Sequence, residues 1–115
     1  MHVMSGTVNV GIGATSANVL LGSIFEFLKR SSKVELAATC EVGAARNITG
    51  RMSIGDTIVT DPPLRIGAEN IVSGGVVIPD NIKLVTAGAP GDRLSLTFTN
   101  GGAAAFDVDW WVRVS

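Results

Sequence analysis

Asp107 and Asp109 are the two residues of this chain whose spacing best suits proton-transfer chemistry. Lying two apart in an alternating segment, they put both carboxyls on one face of a strand, about 7 Å apart. Carboxylate pairs of that kind carry out general acid–base catalysis in glycosidases. Trp111 and Arg113 fall on the same face. A row of Asp, Asp, Trp and Arg could stack a sugar on the indole. It could also meet another protein, since Trp and Arg are enriched at interface hot spots. For the acids the plainer reading is the wet side of an edge strand, or a subunit contact.

The rest of the chain offers little that reacts. It has one histidine, His2, one cysteine, Cys40, and no tyrosine. A Ser-His-Asp or Cys-His arrangement would have to use His2, close to a terminus where chains fray. A lone cysteine makes neither an internal disulfide nor a cysteine-rich metal site. Gly11-Ile12-Gly13-Ala14-Thr15-Ser16 lacks the third glycine of a dinucleotide fingerprint and the Gly-Lys-Ser/Thr of a phosphate loop. It reads as a strand end and a loop. Asp56, Asp61, Asp80 and Asp92 are dispersed among turns rather than spaced as a calcium loop. Asn47-Ile48-Thr49 matches a glycosylation acceptor, which matters only in an exported protein. No catalytic, cofactor-binding or metal-ligating residue is assigned, and no cofactor is expected.

The elements that must position these residues belong to one domain of 115 residues, near the commonest domain size. Charged residues make up 17%, against about 25% in an average soluble domain. The formal net charge of -1 leaves no electrostatic footprint for nucleic acid or an anionic membrane. The most apolar window, 17–28, is 12 residues long and carries Asn18, Ser23 and Glu26. A bilayer span needs about 20 apolar residues. Met1-His2-Val3-Met4 lacks the basic start and apolar core of a secretory signal, so synthesis in a cytosol is expected. Low charge at 46% apolar content suits a subunit surrounded by others, because interface centres are depleted of charge.

Alternation is clearest at the end of the chain. Phe106, Val108, Trp110, Val112 and Val114 alternate with Asp107, Asp109, Trp111 and Arg113, the period of a half-buried strand. Leu94, Leu96 and Phe98 alternate with Arg93, Ser95, Thr97 and Thr99. Asn100-Gly101-Gly102 supplies turn chemistry between the two. The expectation is an antiparallel hairpin with a six- or seven-residue connection. Val8, Val10 and Ile12 share a face, and 34–42 alternates too. Shorter runs follow at 48–53, 57–60, 75–78 and 82–86, punctuated by Gly, Pro, Asp and Asn. Short strands at such spacing predict a sandwich or barrel.

Segment 17–28 reads equally as helix or strand. Ala17, Leu20, Leu21, Ile24 and Leu28 have helical spacing, and Gly22 costs such a helix about 1 kcal/mol. As strands, 24–28 and 34–38 would be two arms around Lys29-Arg30-Ser31-Ser32-Lys33.

Several segments in order carry a resemblance. Gly22-Ser23-Ile24-Phe25-Glu26-Phe27-Leu28 precedes Val34-Glu35-Leu36, then come Pro79-Asp80-Asn81 and Ala87-Gly88-Ala89-Pro90-Gly91-Asp92-Arg93-Leu94. Asn100-Gly101-Gly102-Ala103 and Trp110-Trp111-Val112-Arg113-Val114 close the series. This succession, from about Gly22 onward, resembles small virion proteins of tailed bacteriophages, of the capsid cement or decoration type. Segment 43–74 departs most from it. The resemblance tips 17–28 towards strands with a loop before Gly22. It implies an all-β, jelly-roll-like antiparallel β-sandwich, one domain with many loops; ahead of it, 1–21 is a candidate N-terminal arm.

It also implies a homotrimer on the outside of a capsid, with the major capsid protein as partner, assembled in a host cytoplasm. It transfers no catalytic residue. On this expectation the contacts fall to Asp107, Asp109, Trp111 and Arg113, and to Val8 and Val10, since a terminal strand can add to a neighbour's sheet edge. The rivals are a carbohydrate-binding module using Trp111 and the acids, an enzyme using the acid pair, and another tail or coat subunit.

Overall fold

The computed structural model describes residues 2–23, 26–40, 48–60, 64–66, 82–102 and 105–115. The chain is an all-β sandwich, with no helix among the described residues. Its strands are β1 (His2–Val10), β2 (Ser32–Cys40), β3 (Ile48–Ile54), β4 (Thr57–Ile58), β5 (Leu64–Arg65), β6 (Ile82–Gly88), β7 (Leu94–Asn100) and β8 (Phe106–Val114). One antiparallel sheet has the order β1-β8-β2-β6. In the other, β3 pairs with β4, β5 and β7. Because β7 runs along all of β3, from Ile48↔Asn100 to Ile54↔Leu94, β4 and β5 share the opposite edge of β3.

Alternation decides which side chains fill the space between the sheets. Gly50, Met52, Ile54, Leu94, Leu96 and Phe98 are buried on the second sheet; Val34, Leu36, Val108, Trp110, Val112 and Val114 are buried on the first. Phe98 heads the fully buried side chains. Trp110 lies in this core beside Gly6, its partner in register. A Cβ on Gly6 would sit 3.1 Å from Trp110 Cζ2, so the glycine leaves the room the indole occupies.

The sequence predicts a β7–β8 hairpin, and the structure corrects it. β7 pairs with β3, and β8 pairs with β1 and β2 in the other sheet. The five residues 101–105 link the two strands and can span about 16 Å, more than the roughly 10 Å between packed sheets. The turn chemistry itself is present, since Asn100 Oδ1 accepts the Gly102 N–H at 2.8 Å. That turn leads across the sandwich instead of back along the same sheet. Period two reports which face is buried, not which strand is the neighbour.

Within segment 17–28 the described residues, 17–23 and 26–28, form neither a helix nor a pairing with β2. Asn100 N–H donates to Ala14 O at 2.9 Å, Ser16 N–H to Phe98 O at 2.7 Å, and Val19 N–H to Leu96 O at 2.9 Å. Further on, Leu94 N–H donates to Glu26 O at 2.6 Å and Leu28 N–H to Asp92 O at 2.9 Å. Residues 14–19 and 26–28 therefore run along the free edge of β7. With it included, successive elements cross between the sheets in jelly-roll order: β1, this edge segment, β2, β3 with β4 and β5, β6, β7, β8. Asn18 fixes the edge, its Oδ1 accepting the Leu20 and Leu96 N–H groups at 3.0 Å while Nδ2 donates to Leu94 O at 3.2 Å. The expected run at 75–78, the Asp61-Pro62-Pro63 turn and Asn47 lie outside the described residues.

Candidate functional site

The outer face of the β1-β8-β2-β6 sheet holds the residues singled out from the sequence. In register, Asp107 pairs with Asn9, Asp109 with Thr7 on one side and Thr39 on the other, and Trp111 with Ser5 and Ala37. The last row, Val3–Arg113–Glu35–Val85, crosses all four strands. Asp107, Asp109, Trp111 and Arg113 thus do share one face, as their spacing requires.

Val8 and Val10 do not join them. They alternate with Thr7 and Asn9, and so point inward, where Val10 is 1% exposed in the core and Val8 packs against it. The outward surface of β1 consists of Val3, Ser5, Thr7 and Asn9. The strand is also no free arm, because it pairs with β8 through the whole register from His2↔Val114 to Val10↔Phe106.

The acids already have partners within the sheet. Thr7 Oγ1 donates to Asp109 Oδ1 at 2.6 Å, and Asn9 Nδ2 donates to Asp107 Oδ1 at 2.8 Å. Asp109 is only 5% exposed, so it is not on a wet edge. Cross-strand hydrogen bonds of this kind hold β1 to β8 side chain by side chain.

Glu35 is the residue that sequence reasoning passed over. It sits on the central strand β2, is 3% exposed, and its Oε1 accepts Arg113 Nε at 2.8 Å and Nη2 at 2.5 Å. Lys33 Nζ lies 3.9 Å from the same oxygen. Its signal in the sequence was an acid within the apolar run Val34–Ala38, a position that demands a paired cation. The Arg113 guanidinium also lies 5.3 Å from the centre of the Trp111 ring, within cation–π reach. Trp111 is half-buried, beside the small Ala37 in register. One ring face is therefore occupied by arginine rather than open as a platform for a sugar.

The arrangement is a surface on which Asp107, Asp109, Glu35 and Arg113 are bonded from within, flanked by exposed Val3 and Val85. Among the described residues no three His, Cys, Asp or Glu side chains come together as metal ligands, and no helix is long and apolar enough to cross a membrane. Comparison with protein-family models, with curated proteins and with solved structures gives no match.

Proposed function

We propose that this chain is a virion structural protein of the capsid cement type, which binds the outside of a coat lattice and bridges neighbouring subunits. The observation that carries the reading is the Val3–Arg113–Glu35–Val85 row with Trp111 beside it. Two valines more than half exposed flank an internally neutralised ion pair and a half-buried indole. That is the composition of an interface centre, with apolar area to gain and little unpaired charge to desolvate. The jelly-roll sandwich and the bacteriophage resemblance of the sequence support the same reading.

Its mechanism is linkage. A protein that binds only the assembled lattice stabilises that lattice by its binding free energy. A trimer meeting three coat surfaces turns weak single contacts into strong joint ones. The test is cryo-EM of the intact particle together with the mass of the purified protein in solution. Trimers on the particle exterior, with the Trp111 face against coat protein, are the expected result. A monomer in solution with no density on the particle would overturn the reading. The Trp111→Ala and Val85→Lys variants should keep the far-ultraviolet spectrum of the fold and lose particle binding by at least tenfold.

A further inference from the structure

The outer face of the second sheet has a different chemistry from the first. Inward-facing Gly50, Met52, Ile54, Leu94, Leu96 and Phe98 leave Thr49, Arg51, Ser53, Ser95, Thr97 and Thr99 pointing outward. Thr15 of the edge segment comes alongside through its bridge to Thr99. Thr15, Thr49, Arg51, Thr97 and Thr99 line a groove of 320 Å³, at the small end of ligand sites.

Two observations separate this groove from an ordinary wet strand face. Its polar groups converge but are mostly unused: among the described residues, Thr49, Arg51 and Thr97 make no side-chain hydrogen bond or ion pair. Only the Thr15 and Thr99 hydroxyls bond to one another, at 2.8 Å. On the first sheet, by contrast, Asp107, Asp109 and Glu35 each accept a hydrogen bond from across the strands. Second, Arg51 is the one charged residue among the described residues that line the groove, so it brings a positive charge that no described lining residue neutralises.

We propose that this groove binds an acidic carbohydrate, a sugar unit bearing a carboxylate. Each threonine hydroxyl donates one hydrogen bond and accepts others, as each sugar hydroxyl does. The threonine methyls offer apolar contact to the ring C–H groups. The guanidinium of Arg51 has the planar fork that takes a carboxylate through two parallel hydrogen bonds. Donors spread along two strands about 4.8 Å apart suit an extended polyol better than a compact phosphate, which is bound where backbone N–H groups converge. The site lies on the opposite side of the sandwich from Trp111, so it stands or falls independently of capsid binding.

The test is a titration of the full ¹⁵N-labelled chain, followed by amide shifts, with three probes: tetragalacturonate, its fully methyl-esterified form, and inorganic phosphate. Tetragalacturonate should give saturable shifts confined to Thr15, Thr49, Arg51, Thr97, Thr99 and their neighbours. The methyl ester, equal in skeleton but neutral, should bind at least tenfold more weakly. Arg51→Gln should erase that difference, and Thr97→Val should weaken binding of both sugars several-fold. Each variant should unfold at the temperature of the parent chain, since Arg51 is exposed and valine is isosteric with threonine. Three results would overturn the proposal: no saturable shifts at these residues, equal binding of acid and ester, or phosphate displacing tetragalacturonate at equal concentration.

Discussion

The Glu35–Arg113 pair makes an asymmetric prediction about stability. The Glu35 side chain is 4% exposed and the Arg113 side chain 28%. Removing the cation with Arg113→Met strands a buried carboxylate whose remaining partner, Lys33, is 3.9 Å away and itself largely in water. Breaking a buried pair from one side costs about 3–5 kcal/mol. Lys33 places this case near the lower end, and loss of the stacking on Trp111 adds about 0.5 kcal/mol. Removing the acid with Glu35→Leu leaves a guanidinium that can turn its head to solvent, so about 1–2 kcal/mol is expected.

The double variant replaces the pair by apolar groups, which is often close to neutral, and should cost only about 1 kcal/mol. Urea unfolding measures all three, with the slope unchanged if only stability has moved. In thermal terms Arg113→Met should melt about 14 °C lower, at roughly 4 °C per kcal/mol for a chain of this size. The reasoning is refuted if the two single variants cost the same and the double variant equals their sum, because the pair is then uncoupled.

Four further outcomes follow from the packing and the tethers. Phe98→Ala empties the centre of the core and should cost about 3–5 kcal/mol by urea unfolding. Gly88→Ala brings a Cβ against Leu28 Cδ1 and within 2.9 Å of Ile54 Cγ2, and should cost about 1–3 kcal/mol by overpacking in the same measurement. Asn18→Ala orphans the N–H groups of Leu20 and Leu96 and should cost about 2 kcal/mol, with faster amide exchange along β7. The Glu26 carboxyl is held below its ordinary value of 4.5, chiefly by the Gly22 N–H and further by Arg93, with burial opposing. Because its folded pKa is depressed, its stabilisation is complete above the ordinary value and is lost as pH falls through the folded one. The gap in urea midpoint between the parent chain and Glu26→Gln should therefore close as the pH is lowered below 4.5.

Much of the sandwich was legible because burial imposes a parity. The period of 106–114 separated Trp110, in the core, from Trp111, on the outer face, although the two are adjacent and identical. The same parity argument, carried to β1, turns Val8 and Val10 inward, which the expectation of a free arm does not. Pairing was not legible. The β7–β8 link reads as a hairpin turn, yet a turn of that length serves a crossover between sheets equally well. The 17–28 segment mixed helical spacing with turn residues because its order comes from the backbone of β7 and the side chain of Asn18. Such an edge leaves no hydrophobic period to read. Glu35 and Arg113 lie 78 positions apart, so only the register of β2 against β8 reveals that they are partners.

Desolvation decides which face of this sandwich is suited to lie against another protein. On the first sheet, Asp107, Asp109, Glu35 and Arg113 already hold hydrogen bonds within the chain, so covering them removes little hydration that is not already replaced. The exposed area of Val3 and Val85 then contributes about 25 cal/mol per Å² buried. On the second sheet, covering Thr49, Arg51 and Thr97 strips water from three polar groups that have no side-chain partner among the described residues. Each costs about 1–3 kcal/mol unless the incoming surface supplies a matching group. A sugar carboxylate with its hydroxyls supplies such groups; an apolar protein surface does not. On the two proposals the faces suit different occupants, and a subunit docked through the Trp111 face would leave the threonine groove open to solvent.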